Sequence, residues 1–130
     1  MLEMANFQFN QAALISSIAH ASTEELDALD FGVIGFDRAG VVHRYNVYEA
    51  KLAGLRADNI RGALLFINVA PCMNNFMVAR RFEDAQKKHT PLDMVIDYVL
   101  TLRMRPVQVK LRLLSSPDLD LQFILVQRAL

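Results

Sequence analysis

Met94-Val-Ile-Asp-Tyr-Val-Leu-Thr-Leu-Arg-Met104 reads as one long strand. Met94, Ile96, Tyr98, Leu100, Leu102 and Met104 fall on one side of a two-residue period, and Val95, Asp97, Val99, Thr101, Arg103 and Arg105 on the other. Successive side chains of an extended chain point to opposite faces, so this spacing gives a strand with one apolar face. Val107, Val109, Leu111 and Leu113 alternate with Gln108, Lys110 and Arg112 in the same manner, and Leu119, Leu121, Phe123 and Leu125 repeat the period. The breaks at Arg105-Pro106 and Ser115-Ser-Pro117 are too short for crossover helices, so the neighbouring strands run antiparallel.

Upstream, Phe31-Gly-Val-Ile-Gly-Phe36 and Val41-Val-His-Arg-Tyr45 are two more β-rich runs. Asp37-Arg-Ala-Gly40 between them suits a tight turn, which makes a hairpin. From Asn46 to Arg61 the two-residue period disappears; short helical pieces broken at Gly54 and Gly62 are followed by the apolar Leu64-Leu-Phe-Ile67. Phe76 to His89 reads as a helix with Val78, Phe82, Ala85 and His89 on one face, and with Glu83–Lys87 and Asp84–Lys88 as four-residue charge pairs outside. Its basic residues Arg80, Arg81, Lys87 and Lys88 form a solvated face. At the N-terminus, Phe9 to Ala21 has the pattern of a short amphipathic helix, and Ser22-Thr-Glu-Glu25 has the spacing of a capping box leading into Leu26-Asp-Ala-Leu29. The expected fold class is α+β: a hairpin, a helical middle and a three-stranded meander, forming a five-stranded antiparallel sheet with helices on one face.

At 130 residues, 53% of them hydrophobic, the chain suits one domain with a sizeable core. Fourteen basic side chains balance fourteen acidic ones, which gives no electrostatic footprint for nucleic acid or an acidic membrane surface. Neither is an expected partner. One cysteine forms no internal disulfide, which points to a reducing compartment and to the cytoplasm. Ala12 to Ala21 is not read as a secretory leader, because only Glu3 is charged ahead of it and serines interrupt the apolar run. No apolar stretch reaches the ~20 residues that span a bilayer. Phosphate-cradling glycine loops, a serine nucleophile elbow, zinc motifs and paired redox cysteines are absent, and His20, His43 and His89 lack ligand spacing.

Two places carry chemistry. Cys72 lies in Asn68-Val-Ala-Pro-Cys-Met-Asn-Asn75. A lone intracellular cysteine is ordinarily a small buried hydrophobe. Against that, Pro71 fixes the backbone ahead of the thiol, and a helix starting soon after would offer amide donors and a positive dipole end to a thiolate. Tyr45 and Glu49, four residues apart, lie side by side if the chain turns helical after the second strand. The alternative is a boundary tyrosine and an exposed glutamate.

Tyr45-Asn46, Glu49, Gly54, Val69-Ala-Pro-Cys72, Phe82 and the strand containing Lys110 together resemble the photoactive yellow protein family, blue-light receptors of the PAS superfamily. The resemblance covers about residues 26 to 128, with Gly32, Asp37 and Gly40 also at matching places. It implies a PAS fold with an N-terminal helical cap over residues 1–25 and a photosensor core over 26–130. It further implies p-coumaric acid (4-hydroxycinnamic acid) as a thioester on Cys72, its phenolate hydrogen-bonded by Tyr45 and a protonated Glu49. Pro71, Ala53, Leu55, Leu100, Leu102 and Met104 are the implied pocket lining. A buried phenolate needs strong donors, because a phenol titrates near ~10 in water. Isomerisation would draw the proton from Glu49 and leave a costly buried carboxylate, so that the N-terminal segment undocks.

Ala53 and Leu55 depart from the family, which usually has threonine and arginine there; Arg56 is the side chain placed to replace the lost cation. Tyr48 stands where the family has a small residue, and Leu100 and Leu102 replace aromatics. A PAS-like regulatory or dimerisation module without a covalent chromophore is the rival reading, and a thiol enzyme with His43 as base is a third. The downstream partner is an unidentified signalling protein or a second copy of the chain.

Overall fold

Five strands pair in the order β2-β1-β5-β4-β3, every neighbour antiparallel. They are β1 Gly32–Phe36, β2 Val42–Tyr45, β3 Leu92–Leu100, β4 Val107–Ser115 and β5 Gln122–Arg128. A computed structural model of the protein describes residues 7–101 and 106–128. The β1–β2 turn forms as its sequence dictates: Asp37 Oδ1 accepts from the amides of Ala39 and Val41, both at 3.0 Å, and Gly40 takes the positive φ of 90°. β3 pairs with β4 from Leu92↔Ser115 to Leu100↔Val107. The predicted continuation of this strand through Leu102 and Met104 lies outside the described residues.

β5 corrects the expected alternation. The strand begins at Gln122, after Leu119 and Leu121, and Phe123-Ile-Leu-Val126 is apolar without interruption. The reason is its central place beside β1 and β4. Ile124 and Val126 join the core under the helical middle, while Phe123 and Leu125 join a second core under the N-terminal segment. A strand covered on both faces has no polar side to show.

The helical middle consists of α3 Val47–Ala53, α4 Ala57–Ile60 and α5 Ala79–Lys88, with α1 Leu14–Ala19 and α2 Thr23–Asp27 preceding the sheet. α5 is shorter than the predicted Phe76–His89 helix. Phe76 is exposed, and His89 leaves the apolar face to end the helix in the left-handed conformation with φ 52°. Its charge pair is Arg80–Asp84 at 3.9 Å, in place of the expected lysine pairs. α1 is likewise shorter than predicted, because Ala13 is left-handed with φ 52°. The capping box forms as read: Ser22 Oγ accepts from the Glu25 amide, and Glu25 Oε1 accepts from the Ser22 amide.

Phe9, Leu14, Ile18, Ala21, Leu26 and Leu29 bury themselves on the sheet face opposite α3–α5. The division at residue 25 passes through α2. Arg112 of β4 ties this segment down: its Nη1 donates to the carbonyls of Phe9 (2.8 Å) and Gln11 (2.7 Å), and its Nε and Nη2 grip Asp93. Arg44 adds a bond to the Ala21 carbonyl at 2.8 Å.

Candidate functional site

Asn46 sets the start of α3. Its Oδ1 caps the helix by accepting from the Glu49 amide at 3.2 Å and also accepts from the Val33 amide at 2.9 Å. Its Nδ2 donates to the carbonyls of Leu26 and Phe31. One buried amide thus fastens β1, α2 and α3 together. α3 then buries one face, Glu49 and, a turn later, Ala53, until Gly54 ends it with φ 70°.

Tyr45, the last residue of β2, and Glu49 are both buried, which removes the reading of a boundary tyrosine and an exposed glutamate. Burial, helped by the charge of Glu49, pushes the Tyr45 phenol well above its ordinary range, so it is a hydroxyl donor at neutral pH. Burial also raises the pKa of Glu49, against the opposing pull of Arg128. Gly32 leaves room for that carboxyl: a Cβ there would sit 2.2 Å from Glu49 Oε1.

Arg128, at the end of β5, is the partner of Glu49 that the sequence reading missed. Its Nη1 donates to Glu49 Oε1 at 2.7 Å and its Nη2 to Oε2 at 3.1 Å. The available signal was parity, since Arg128 falls on the same side of β5 as Ile124 and Val126. Arg56, the expected replacement cation, is exposed at the N-cap of α4.

Cys72 is presented by two unusual turns. Leu65–Val69 is a wide helical turn in which the amides of Val69 and Ala70 reach back five residues, to the carbonyls of Leu64 and Leu65. Pro71 then opens a tight turn ending at Met73. The Cys72 carbonyl accepts from the Tyr98 hydroxyl at 2.5 Å and from Asn75 Nδ2 at 3.1 Å. The expected helix N-terminus beside the thiol is not there: α5 begins at Ala79, and Asn75 Oδ1 already accepts from the amides of Met77 and Val78.

The half-buried Cys72 side chain lines a cleft of about 810 Å³ whose wall includes Ala53, Leu55, Ile60, Val69 and Pro71. Tyr45 and Glu49 are not in that wall, but Ala53 is, one turn from Glu49 on the same buried face of α3. Leu100 is buried in the same core as Tyr45, Val69 and Ala70, against which Cys72 and Leu55 pack. Leu102 and Met104 lie outside the described residues. His43 points away to the hairpin turn, its Nε2 2.8 Å from Asp37 Oδ2, so it is not placed as a base for the thiol. Among the described residues no cluster of His, Cys, Asp and Glu suits a metal ion, and no helix is long and apolar enough to cross a membrane.

No protein-family model matches the chain. Its fold is that of PAS domains: the PAS domain of the Cronobacter turicensis RpfR quorum-sensing receptor superposes with a TM-score of 0.60 at 13% identity, covering 78% of this chain and 95% of that one. Photoactive yellow protein of Rhodothalassium salexigens is 27% identical over 125 residues, 96% of this chain and 99% of that protein. The photoactive yellow protein domain of the sensor histidine kinase Ppr from Rhodospirillum centenum superposes with a TM-score of 0.79 at 35% identity, covering 87% of this chain and 98% of that domain. With that identity across nearly a whole solved domain, and a PAS sheet beneath it, the chain belongs to the photoactive yellow protein family, a family of photoreceptor PAS domains.

Proposed function

We propose that the protein is a blue-light receptor that holds p-coumaric acid as a thioester on Cys72, with Tyr45 and Glu49 bonding its phenolic oxygen. The observation that carries this reading is that Ala53, in the wall of the thiol-bearing cleft, lies one turn along α3 from the buried Glu49, with the buried Tyr45 just ahead of the helix. Sites for small ligands are mostly apolar, about 300–1,000 Å³, with a few convergent polar groups. This cleft, lined by Leu55, Ile60, Val69 and Pro71 together with the polar Asn68 and Thr101 and bearing the Cys72 thiol, has the size for a small aromatic acid.

Cys72 Sγ forms its bond to the carbonyl carbon of an activated p-coumaroyl donor, and the donor's leaving group departs with the thiol proton. Once bound, the group supplies absorption of blue light and isomerisation about its double bond. Tyr45 stays protonated and donates. With the ring bound, Glu49, whose pKa burial raises, would donate its proton in a hydrogen bond to the ring oxygen and would pass that proton to the same oxygen when the donor arrangement is broken. The charge change falls on the first turn of α3, and Asn46 connects that turn to the Leu26 carbonyl in the N-terminal core. Undocking of residues 1–25 is the signal on this reading. The protein acts in the cytoplasm as a receptor, not as an enzyme, and passes the signal to a separate signalling protein or to a second copy of itself.

One observation favours a second reading, a PAS-like regulatory module without a covalent chromophore: both oxygens of Glu49 already accept from Arg128. Mixing the apoprotein with an activated p-coumaroyl donor decides the matter. The expected product is yellow, heavier by one coumaroyl group, and lost in Cys72→Ser; a colourless wild type of unchanged mass supports the second reading.

A further inference from the structure

Glu49 and Arg128 are 79 residues apart in sequence, yet they form a two-bond ion pair with side chains 2% and 12% exposed. Arg128 reaches Glu49 from β5, where it pairs with Val109 of β4. Two phenols, Tyr45 at the end of β2 and Tyr48 on α3, stand within electrostatic reach of the same guanidinium. On its outer side Arg128 borders a cleft with Asp97 and Lys110, which neutralise each other at 2.8 Å. One cation therefore serves a buried carboxyl and the phenol beside it. Leu55 and exposed Arg56 offer that region no charge.

Charge balance gives this pair a consequence. The carboxylate and guanidinium together are neutral, and a phenolate placed beside them would leave one uncompensated negative charge in a buried region, which is strongly disfavoured. Neutrality returns when Glu49 takes the phenol's proton and Arg128 is left to balance the phenolate. The proton moves from ring oxygen to a carboxylate oxygen, with no other reactant.

Resting on the chromophore reading above, we propose that Arg128 is the counter-cation of this site: it holds Glu49 ionised in the empty protein, and it balances the ring's charge once Glu49 has accepted the ring's proton. Arg128 acts here as a positioning and charge-setting residue. In the lit state the same guanidinium is at hand to recapture the carboxylate, so the cost of deprotonating Glu49 depends on whether that pair re-forms.

The test uses the full chain with and without coumaroyl. In the apoprotein, infrared difference spectra against Glu49→Gln follow the Glu49 carboxyl through a pH titration. Its midpoint is expected to rise by about one unit or more in Arg128→Gln, the size of an opposite charge within a few ångströms, and to stay near wild type in Arg128→Lys. In the loaded protein, the visible phenolate band of Arg128→Gln is expected to appear at a pH higher by a similar step, with Arg128→Lys again retaining the wild-type position. Normal coumaroyl uptake with both midpoints unmoved in Arg128→Gln overturns the counter-cation role alone. A wild type that gains no coumaroyl mass overturns the chromophore reading, and its apoprotein titration still reports whether Arg128 governs Glu49. Arg128→Lys supplies the charge-retaining control should Arg128→Gln fold poorly.

Discussion

Replacing Gly32 with alanine should break the buried ion pair without touching either partner. The new methyl would lie 2.2 Å from Glu49 Oε1, 3.1 Å from its Cδ and 3.2 Å from its Cβ, where ordinary contact begins near 3.4 Å. The Glu49 backbone is pinned by the Asn46 cap, so the carboxyl must swing away by more than an ångström. That carries Oε1 beyond hydrogen-bonding distance of Arg128 Nη1, now at 2.7 Å. Breaking a buried pair costs about 3–5 kcal/mol, and alanine in a strand recovers about 0.5–1 kcal/mol relative to glycine, for a net loss of about 2–4.5 kcal/mol. Urea unfolding of wild type, Gly32→Ala, Glu49→Ala and the double variant isolates the cause. With Glu49 truncated to its Cβ, only the mild 3.2 Å contact remains, so the Gly32 change should cost far less than in the wild-type background. An equal loss in both backgrounds would refute the claim that Gly32 is kept open for the Glu49 carboxyl.

Three other outcomes are expected. Because burial raises the Glu49 pKa, the folded apoprotein holds that proton more tightly than the unfolded chain; this contribution is full below about pH 4.3 and is lost as pH rises through the folded value. Glu49→Gln should flatten that part of the stability–pH curve, and an unchanged slope counts against it. Arg112→Met removes the bonds to the Phe9 and Gln11 carbonyls and to Asp93, and should cost about 1–3 kcal/mol. Hydrogen exchange should quicken across residues 7–21 while the sheet amides stay protected; uniform acceleration would mean that Arg112 holds the whole fold and not the cap. Asn46→Ala strands the buried amides of Val33 and Glu49 and should cost at least about 3 kcal/mol in chemical denaturation. A loss below about 1 kcal/mol would show that Asn46 is not the fastening described.

Much of the architecture was legible because its causes are local. The two-residue period of Met94 to Leu100, the Asp37–Gly40 turn and the Ser22–Glu25 box follow from backbone geometry and from partners within four residues. The helix ends were misread where single residues intervened. Ala13 and His89 adopt left-handed conformations, and Asn75 binds the amides ahead of α5. β5 departs from the one-faced pattern expected of it, because nothing local says that a strand starting 86 residues after β1 ends will lie beside it.

The sequence by itself determined the strands, their antiparallel neighbours and the candidate residues Tyr45, Glu49 and Cys72, since period and spacing are properties of a short stretch of chain. Tertiary structure alone decided that Glu49 is buried, that Gly32 is kept open for it and that its partner is Arg128. An ion pair depends on distance and on exclusion from water, and neither exists for residues 49 and 128 until β5 closes against β1 and places its last side chain over α3.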